Sequence, residues 1–195
     1  ESIDFEGKFP LAHLKYYHSD VPVAISLSVF SSFQVGNADA SGIPGCVFSF
    51  KVKNTTDFSV CISVLGAWPN NIGQWLTTRY NEFFEKEGLV GFIMNQRNPL
   101  TGDPAYGNMT LAVEKGGGEV SYLGEWYNKT FPVNMPPDKR VWDYFVQKGA
   151  LANQEDGEEL TGGSQISRAA GCVKKKLLPG QEWEVPFYIS WYMPN

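Results

Sequence analysis

The chain has 195 residues, 43% of them hydrophobic, which is enough to bury one sizeable core and predicts a single domain over 1–195. Its formal net charge is −5 and its basic residues are scattered apart from the run Lys174–Lys176, which excludes the footprint of a nucleic-acid-binding protein. No apolar stretch approaches the roughly 20 residues of a membrane-spanning helix, so the sequence predicts no transmembrane segment in this chain.

Strand periodicity runs along most of the chain. Apolar residues alternate with small ones over 23–29 and with polar ones over 182–191, the period of two expected when one face of a sheet is buried. Pro186 predicts a sheet edge or a bulge, because proline cannot donate to a strand ladder. Further strands are predicted near 2–6, 11–17, 46–54, 59–68, 89–95, 108–114, 119–123 and 171–178. The count predicts an all-β fold, a two-sheet antiparallel β-sandwich.

The segments 46–54 and 59–68 predict a hairpin. Pairing Val52 with Val60 places Phe50 opposite Ile62 on one face, whereas a shift by one residue mixes apolar and polar faces.

In that register Cys46 and Cys61 lie on opposite faces, too far apart for a disulfide, and Cys172 remains a possible partner for either. Three cysteines in a chain of this length are typical of free, buried thiols, which favours a reducing compartment such as the cytoplasm without establishing the localisation.

One short helix is predicted near 138–148. Asp138 is suited to cap it, Trp142, Phe145 and Val146 are spaced for one apolar face, and Gly149 is suited to end it. The polar, turn-rich segment 150–170 predicts an exposed excursion before the last strands.

The residues that enzymes use for chemistry are sparse. The chain has two histidines, no Cys-x-x-Cys and no phosphate-binding or nucleophile-elbow motif. Glycoside hydrolysis generally needs two carboxylates across one bond, but the acidic residues near 155–159 crowd into one polar loop. The sequence therefore predicts no catalytic residue, no metal site and no cofactor in this chain.

Aromatic residues leave two interpretations open. Trp75, Tyr80, Trp126 and Tyr127 fall in or near predicted loops, where they can stack on sugar rings or pack onto the sandwich, and packing is the more common role. Trp142 beside Asp143 poses the same choice on the helix, where its spacing favours the core.

Nine sequence blocks follow one another along almost the entire chain: 9–12, 23–33, 39–44, 48–54, 79–83, 141–145, 149–151, 178–181 and 187–194. This ordered set resembles the amino-terminal domain of glycoside hydrolase family 116, the family of non-lysosomal glucosylceramidases or bile acid β-glucosidases. Members of that family often have Trp at the position of Tyr80.

The resemblance implies a division of labour. In this family the amino-terminal domain is a supersandwich-like β-sandwich, and the retaining carboxylate pair lies in a following (α/α)6 barrel that removes β-linked glucose from glucosylceramide or related glucosides. The expected partners are that catalytic domain of the same parent chain and, through the parent enzyme, the glucoside. No residue here matches the pair. The candidate residues for the rim of the substrate cleft are Tyr80, Asn81, Glu82, Trp142 and Asp143.

Three functions therefore compete at this point. The first is a non-catalytic domain excised from a longer β-glucosidase-like chain, which predicts an exposed apolar face or edge. The second is an autonomous carbohydrate-binding module, which predicts a row of exposed aromatics including Trp75 and Trp126. The third is a structural sandwich used in adhesion.

Overall fold

A computed structural model describes residues 1–73, 77–99, 102–126, 137–155, 160–161 and 167–194. Within these residues the chain forms twelve strands and two helices, which confirms the predicted all-β class. The strands are β1 Ser2–Lys8, β2 Leu11–Tyr17, β3 Val23–Ser31, β4 Gly45–Asn54, β5 Val60–Pro69, β6 Thr78–Lys86, β7 Leu89–Gln96, β8 Asn108–Glu114, β9 Glu119–Leu123, β10 Leu160–Thr161, β11 Arg168–Leu177 and β12 Glu182–Tyr192; the helices are α1 Ala38–Ser41 and α2 Pro137–Lys148.

The strands form two antiparallel sheets. In the described part of the chain, the large sheet has nine strands in the order β1-β2-β3-β4-β12-β8-β7-β6-β10, and the small sheet has three in the order β5-β11-β9. Each sheet places alternate side chains on opposite faces. We call the face of the large sheet turned toward the small sheet its inner face, and the opposite one its outer face.

The main core lies between the two sheets. Val52, Phe92, Val113 and Phe187 of the large sheet's inner face are buried in one cluster with Val173 of the small sheet. The predicted sandwich is therefore present, and the transfer of these side chains from water, worth roughly 1.5–3 kcal/mol each, is the main force that joins its layers.

A second core lies on the far side of the small sheet. Cys172 and Leu123 are fully buried there against Val141 of α2 and Leu151. Strand β11 is thus buried on both faces, and α2 forms a third layer over the small sheet.

The predicted hairpin between 46–54 and 59–68 is wrong. Strand β4 pairs with β3 and β12 in the large sheet, whereas β5 pairs with β11 in the small one. Phe50 and Ile62 do pack against the same core, but they belong to two different sheets and not to one ladder. The alternation identified the buried faces correctly, but burial alone does not distinguish a partner strand from an opposing sheet.

Helix α2 has the predicted extent but buries a different face. It begins at Pro137, a residue that suits the first turn because it lacks an N–H, so Asp138 is its second residue and not its cap. Gly149 ends it as predicted, with φ of 62° and its N–H donating to the Phe145 carbonyl at 2.7 Å. Val141 is 1% exposed, whereas Trp142 is 53% exposed and Val146 66%, so the predicted core position of Trp142 is wrong.

In the described parts of 150–170, some residues are less exposed than predicted. Leu151 and Ser167 are buried, and the following strand begins at Arg168 instead of 171. Two further strands, β6 and β10, were not predicted, and they pair with each other along one edge of the large sheet.

Pro186 lies in β12 opposite Ser49 of β4, and the pairing of β12 with β8 begins only at Phe187. It therefore occupies a local edge within the described ladder. Of the described helices, none has the length and hydropathy needed to cross a membrane.

Candidate functional site

Strand β6 carries three of the five candidate rim residues on two different faces. Asn81 points inward and is 4% exposed, whereas its neighbours Tyr80 and Glu82 point to the outer face, where Tyr80 is half-buried and Glu82 exposed. The strand's period of two separates the candidates, so Asn81 shares no surface with the other two.

The Asn81 amide is occupied by a buried polar network. Its Oδ1 accepts from Asn70 Nδ2 at 3.0 Å, and its Nδ2 donates to the Gly124 carbonyl at 2.7 Å and to Ser167 Oγ at 2.8 Å. Glu125, fully buried, accepts a hydrogen bond from the Ser167 hydroxyl and another from the Arg168 N–H at 3.2 Å. Buried polar groups need such partners, and this set joins β6 to the segments before β11.

Asn70 ties the same network to the neighbouring strands. Its Nδ2 also lies 3.2 Å from the Tyr80 carbonyl and 3.1 Å from the Asn95 carbonyl, and its Oδ1 accepts from the Ile72 N–H at 3.1 Å. Sequence reasoning did not identify Asn70, Glu125 or Ser167. The one available signal was the parity of Asn81, a polar residue at an inward position of the strand.

Tyr80 forms a separate feature on the outer face. The Arg97 guanidinium carbon lies 4.0 Å from its ring centroid, a cation–π arrangement, and Tyr80 pairs with Asn95 across the ladder. Arg97 and Asn95 were also missed, because only the β6–β7 register brings them beside Tyr80. Rings, amides and a guanidinium together can form the stacking and hydrogen-bonding contacts that sugars use.

Trp142 and Asp143 lie in another layer. They belong to α2, which covers the far side of the small sheet, and Asp143 is exposed and paired with Lys139 Nζ at 2.5 Å. The Trp142 ring contacts Phe145, with 5.6 Å between centroids. The five candidates therefore do not form one cluster, since the thickness of the sandwich separates α2 from the outer face of β6.

The loop aromatics give one further result. Trp126 is 8% exposed and its backbone N–H donates to the Arg168 carbonyl at 2.9 Å, so the residue packs onto the sandwich and offers no face to a sugar. Trp75 and Tyr127 lie outside the described residues. Trp126 is therefore not one of the exposed aromatic residues predicted for a carbohydrate-binding module.

The electrostatics of the described residues supply no activated group. Burial raises the pKa of the Cys172 thiol to about 11, so this cysteine stays protonated and poorly nucleophilic at neutral pH. Hydrogen bonds from Lys51 and then Lys53 lower the pKa of Glu182, which keeps it an ionised partner of the two lysines. Glu82 and Glu125 lie on opposite sides of β6. Among the described residues no group of three His, Cys, Asp or Glu side chains is placed to hold a metal ion.

The geometry defines an antiparallel β-sandwich domain with a buried polar network at one end. A family model described as "beta-glucosidase 2, glycosyl-hydrolase family 116 N-term" matches residues 1–195. The chain belongs to this family, the amino-terminal domain of glycoside hydrolase family 116, as the sequence blocks indicated.

Comparison with other proteins adds a structural likeness only. No curated protein sequence matches the chain. A solved structure titled as a putative kojibiose phosphorylase from the human microbiome is similar over 93% of this chain at 11% identity, with a TM-score of 0.43. The aligned part amounts to 17% of that protein's length.

Proposed function

We propose that this chain is the non-catalytic amino-terminal domain of a β-glucosidase-like enzyme, in which it scaffolds the catalytic domain. The single observation that supports this role is the family match, which extends over all 195 residues. The described residues agree with it, because carboxylates such as Glu125, Asp143 and Glu182 form structural hydrogen bonds and ion pairs. The reaction, the release of glucose from a β-glucoside, belongs in this proposal to the catalytic domain.

We further propose that the domain contributes to the rim of the catalytic cleft through the outer face of β6. Tyr80 and Glu82 are the two candidate residues that share this face, and the Arg97 guanidinium holds the Tyr80 ring in place. An aromatic ring, an amide and a carboxylate at one strand end suit the apolar faces and hydroxyl groups of a sugar. Trp142 and Asp143, on the opposite layer, are left out of this rim.

The scaffolding role is tested with the parent enzyme and with this chain by itself. Hydrolysis of 4-nitrophenyl β-glucoside is measured for the whole enzyme, for the enzyme lacking this domain and for the isolated chain. We expect activity in the whole enzyme alone. Full activity and unchanged thermal stability after removal of the domain would contradict the proposal, as would hydrolysis by the purified chain.

The rim is tested in the whole enzyme by Tyr80→Ala and Glu82→Ala. We expect KM to rise by about fivefold or more, the loss of roughly 1 kcal/mol of binding, while the thermal midpoint stays the same. Asp143→Asn is the matched control on the other layer and is expected to leave KM unchanged. A KM unaffected by both β6 substitutions would refute the rim.

A further inference from the structure

Exposed apolar side chains gather at one end of the sandwich, the end at which β12 finishes. The register places the start of β4 beside the end of β12, and the backbone N–H of Trp191 donates to the Pro44 carbonyl at 3.0 Å. The β1–β2 turn and the segment after β3 lie at the same end, because Leu11 pairs with Phe30 and Phe30 with Val47. We name six side chains at this end the exit patch: Phe9, Phe33, Val35, Ile43, Tyr192 and Met193.

The members of the exit patch are far more exposed than large apolar residues normally are. Val35 is 86% exposed, Phe9 77% and Tyr192 60%. Phe9 and Phe33 already contact each other edge to face, with 4.9 Å between ring centroids, so part of the patch is contiguous. Large clustered apolar surfaces of this kind mark interaction sites in soluble proteins.

The two segments that carry five of the six residues of the exit patch are poor in charge. Residues 30–48 contain a single charged side chain, Asp39, and residues 189–195 contain none. At the opposite end the strands carry many charges, among them Lys51, Lys53 and Glu182 in one ion-paired group. Depletion of charge together with enrichment in aromatic residues distinguishes the core of a protein interface from ordinary surface.

The exposure of the patch is built into the segment that carries it. Asn37 caps α1 by accepting from the Ala40 N–H at 2.9 Å, and the Gln34 N–H donates to Ser41 Oγ at 2.9 Å. The Ser41 hydroxyl in turn donates to the Gln34 carbonyl at 3.0 Å. These bonds fix the backbone on both sides of Val35 while its side chain remains in solvent, so the segment is ordered without burying its apolar residues.

We propose that the exit patch is the surface on which the next domain of the parent enzyme docks. This inference rests on the proposed function, and it adds the place of contact. The family model describes an amino-terminal domain, so the remainder of such an enzyme follows β12, whose last residues Tyr192 and Met193 are themselves part of the patch. A domain that follows β12 in the chain is tethered to this end of the sandwich, which raises its effective concentration there. The partner surface is correspondingly apolar and poor in charge.

The test compares two pairs of exposed apolar side chains in the whole enzyme. Val35→Lys with Ile43→Lys places two charges in the exit patch, and Val146→Lys with Phe58→Lys places them on α2 and on the opposite end. The exposed fractions are 86% and 59% for the first pair and 66% and 58% for the control pair. We expect the first pair to lower the thermal midpoint of the whole enzyme by at least about 3 °C and to reduce its β-glucosidase activity, because charges are buried without partners.

The isolated chain supplies the second comparison. Both pairs are expected to leave its thermal midpoint within about 1 °C of the original, because the side chains are solvent-exposed there. Oxidation of Met193 by hydrogen peroxide is expected to be at least about fivefold slower in the whole enzyme than in the isolated chain.

Each other outcome overturns the inference in a recognisable way. Equal effects of both pairs, or none, in the whole enzyme would show that the exit patch is not the docking surface. A concentration-dependent dimer of the isolated chain that Val35→Lys abolishes, with no effect in the whole enzyme, would assign the patch to a second copy. Failure of the proposed function has a different signature, since removal of the entire domain would then leave the enzyme's activity and midpoint unchanged.

Discussion

The substitution Asn81→Ala tests whether the buried polar network holds the two sheets together. The change removes the donor that serves the Gly124 carbonyl and Ser167 Oγ, at 2.7 Å and 2.8 Å. Asn70 loses one acceptor but keeps the carbonyls of Tyr80 and Asn95. Two buried acceptors are therefore left without this partner.

The expected cost follows from those two acceptors. Each buried polar group that loses its hydrogen bond costs about 1–3 kcal/mol, so the free energy of unfolding should fall by about 2–6 kcal/mol. The assay is urea denaturation of the isolated chain, followed by tryptophan fluorescence. With an m value of about 2 kcal/mol/M, the midpoint should fall by about 1–3 M at unchanged m.

Glu82→Ala is the control, one residue along the same strand but on the exposed outer face. It should change the free energy of unfolding by less than about 0.5 kcal/mol. A cost below about 1 kcal/mol for Asn81→Ala, or one no greater than that of Glu82→Ala, would refute the structural role of the network.

Four further predictions concern the core, the helix, the reactivity of the cysteines and the pH dependence of stability. Gly91→Ala should destabilise the chain by about 3 kcal/mol or more, because the new Cβ would lie 2.0 Å from the Leu111 carbonyl oxygen. Gly66→Ala should cost less, because its Cβ meets the Phe187 ring at 2.6 Å and a ring can turn. Urea midpoints rank the two variants, and the reverse order would contradict this prediction. Val141→Ala should lower the free energy of unfolding by about 2 kcal/mol, and by more than Trp142→Ala does, because Val141 is 1% exposed and Trp142 53%. This order is expected although the tryptophan substitution removes far more atoms. A larger effect of Trp142→Ala in the isolated chain would contradict the buried helix face described above. The exposed Cys61 should react with Ellman's reagent in the folded chain, and Cys172 only after unfolding. The free energy of unfolding should also fall by up to about 2–3 kcal/mol as pH rises from about 9 to about 11, because the Cys172 thiol ionises at lower pH in the unfolded chain than in the folded one. Cys172→Ala should remove this part of the pH dependence. An unchanged slope of unfolding free energy against pH in that variant would show that other groups cause it.

The local sequence predicted most strands because alternation is a property of neighbouring residues. The stretches that became β3 and β12 place an apolar side chain at every second position, and the structure buries those positions. Strand β6 was not predicted because its inward positions include Arg79, Asn81 and Glu85, which interrupt the alternation of apolar and polar residues. Asn81 is tolerated there only because Ser167, 86 residues away in sequence, completes its hydrogen bonds.

The candidate site, like the fold, was predictable from the sequence only in part. The sequence blocks pointed to Tyr80 and Glu82, and the alternation of β6 places both on one face. The Arg97 stacking partner and the separation of Trp142 and Asp143 from β6 depend on strand order and layer position, which no local pattern records.

What the sequence determined by itself was the buried faces of the predicted strands, the extent of α2 and the family, because each depends on residue types in a fixed order. Only the tertiary structure decided which strand pairs with which, as β4 and β5 show, and which side of α2 is covered. The physical reason is that the hydrophobic effect has no direction: it requires Phe50 and Ile62 to leave water but accepts any neighbour that removes them from it. The choice of neighbour comes from the closure of all the ladders and layers together.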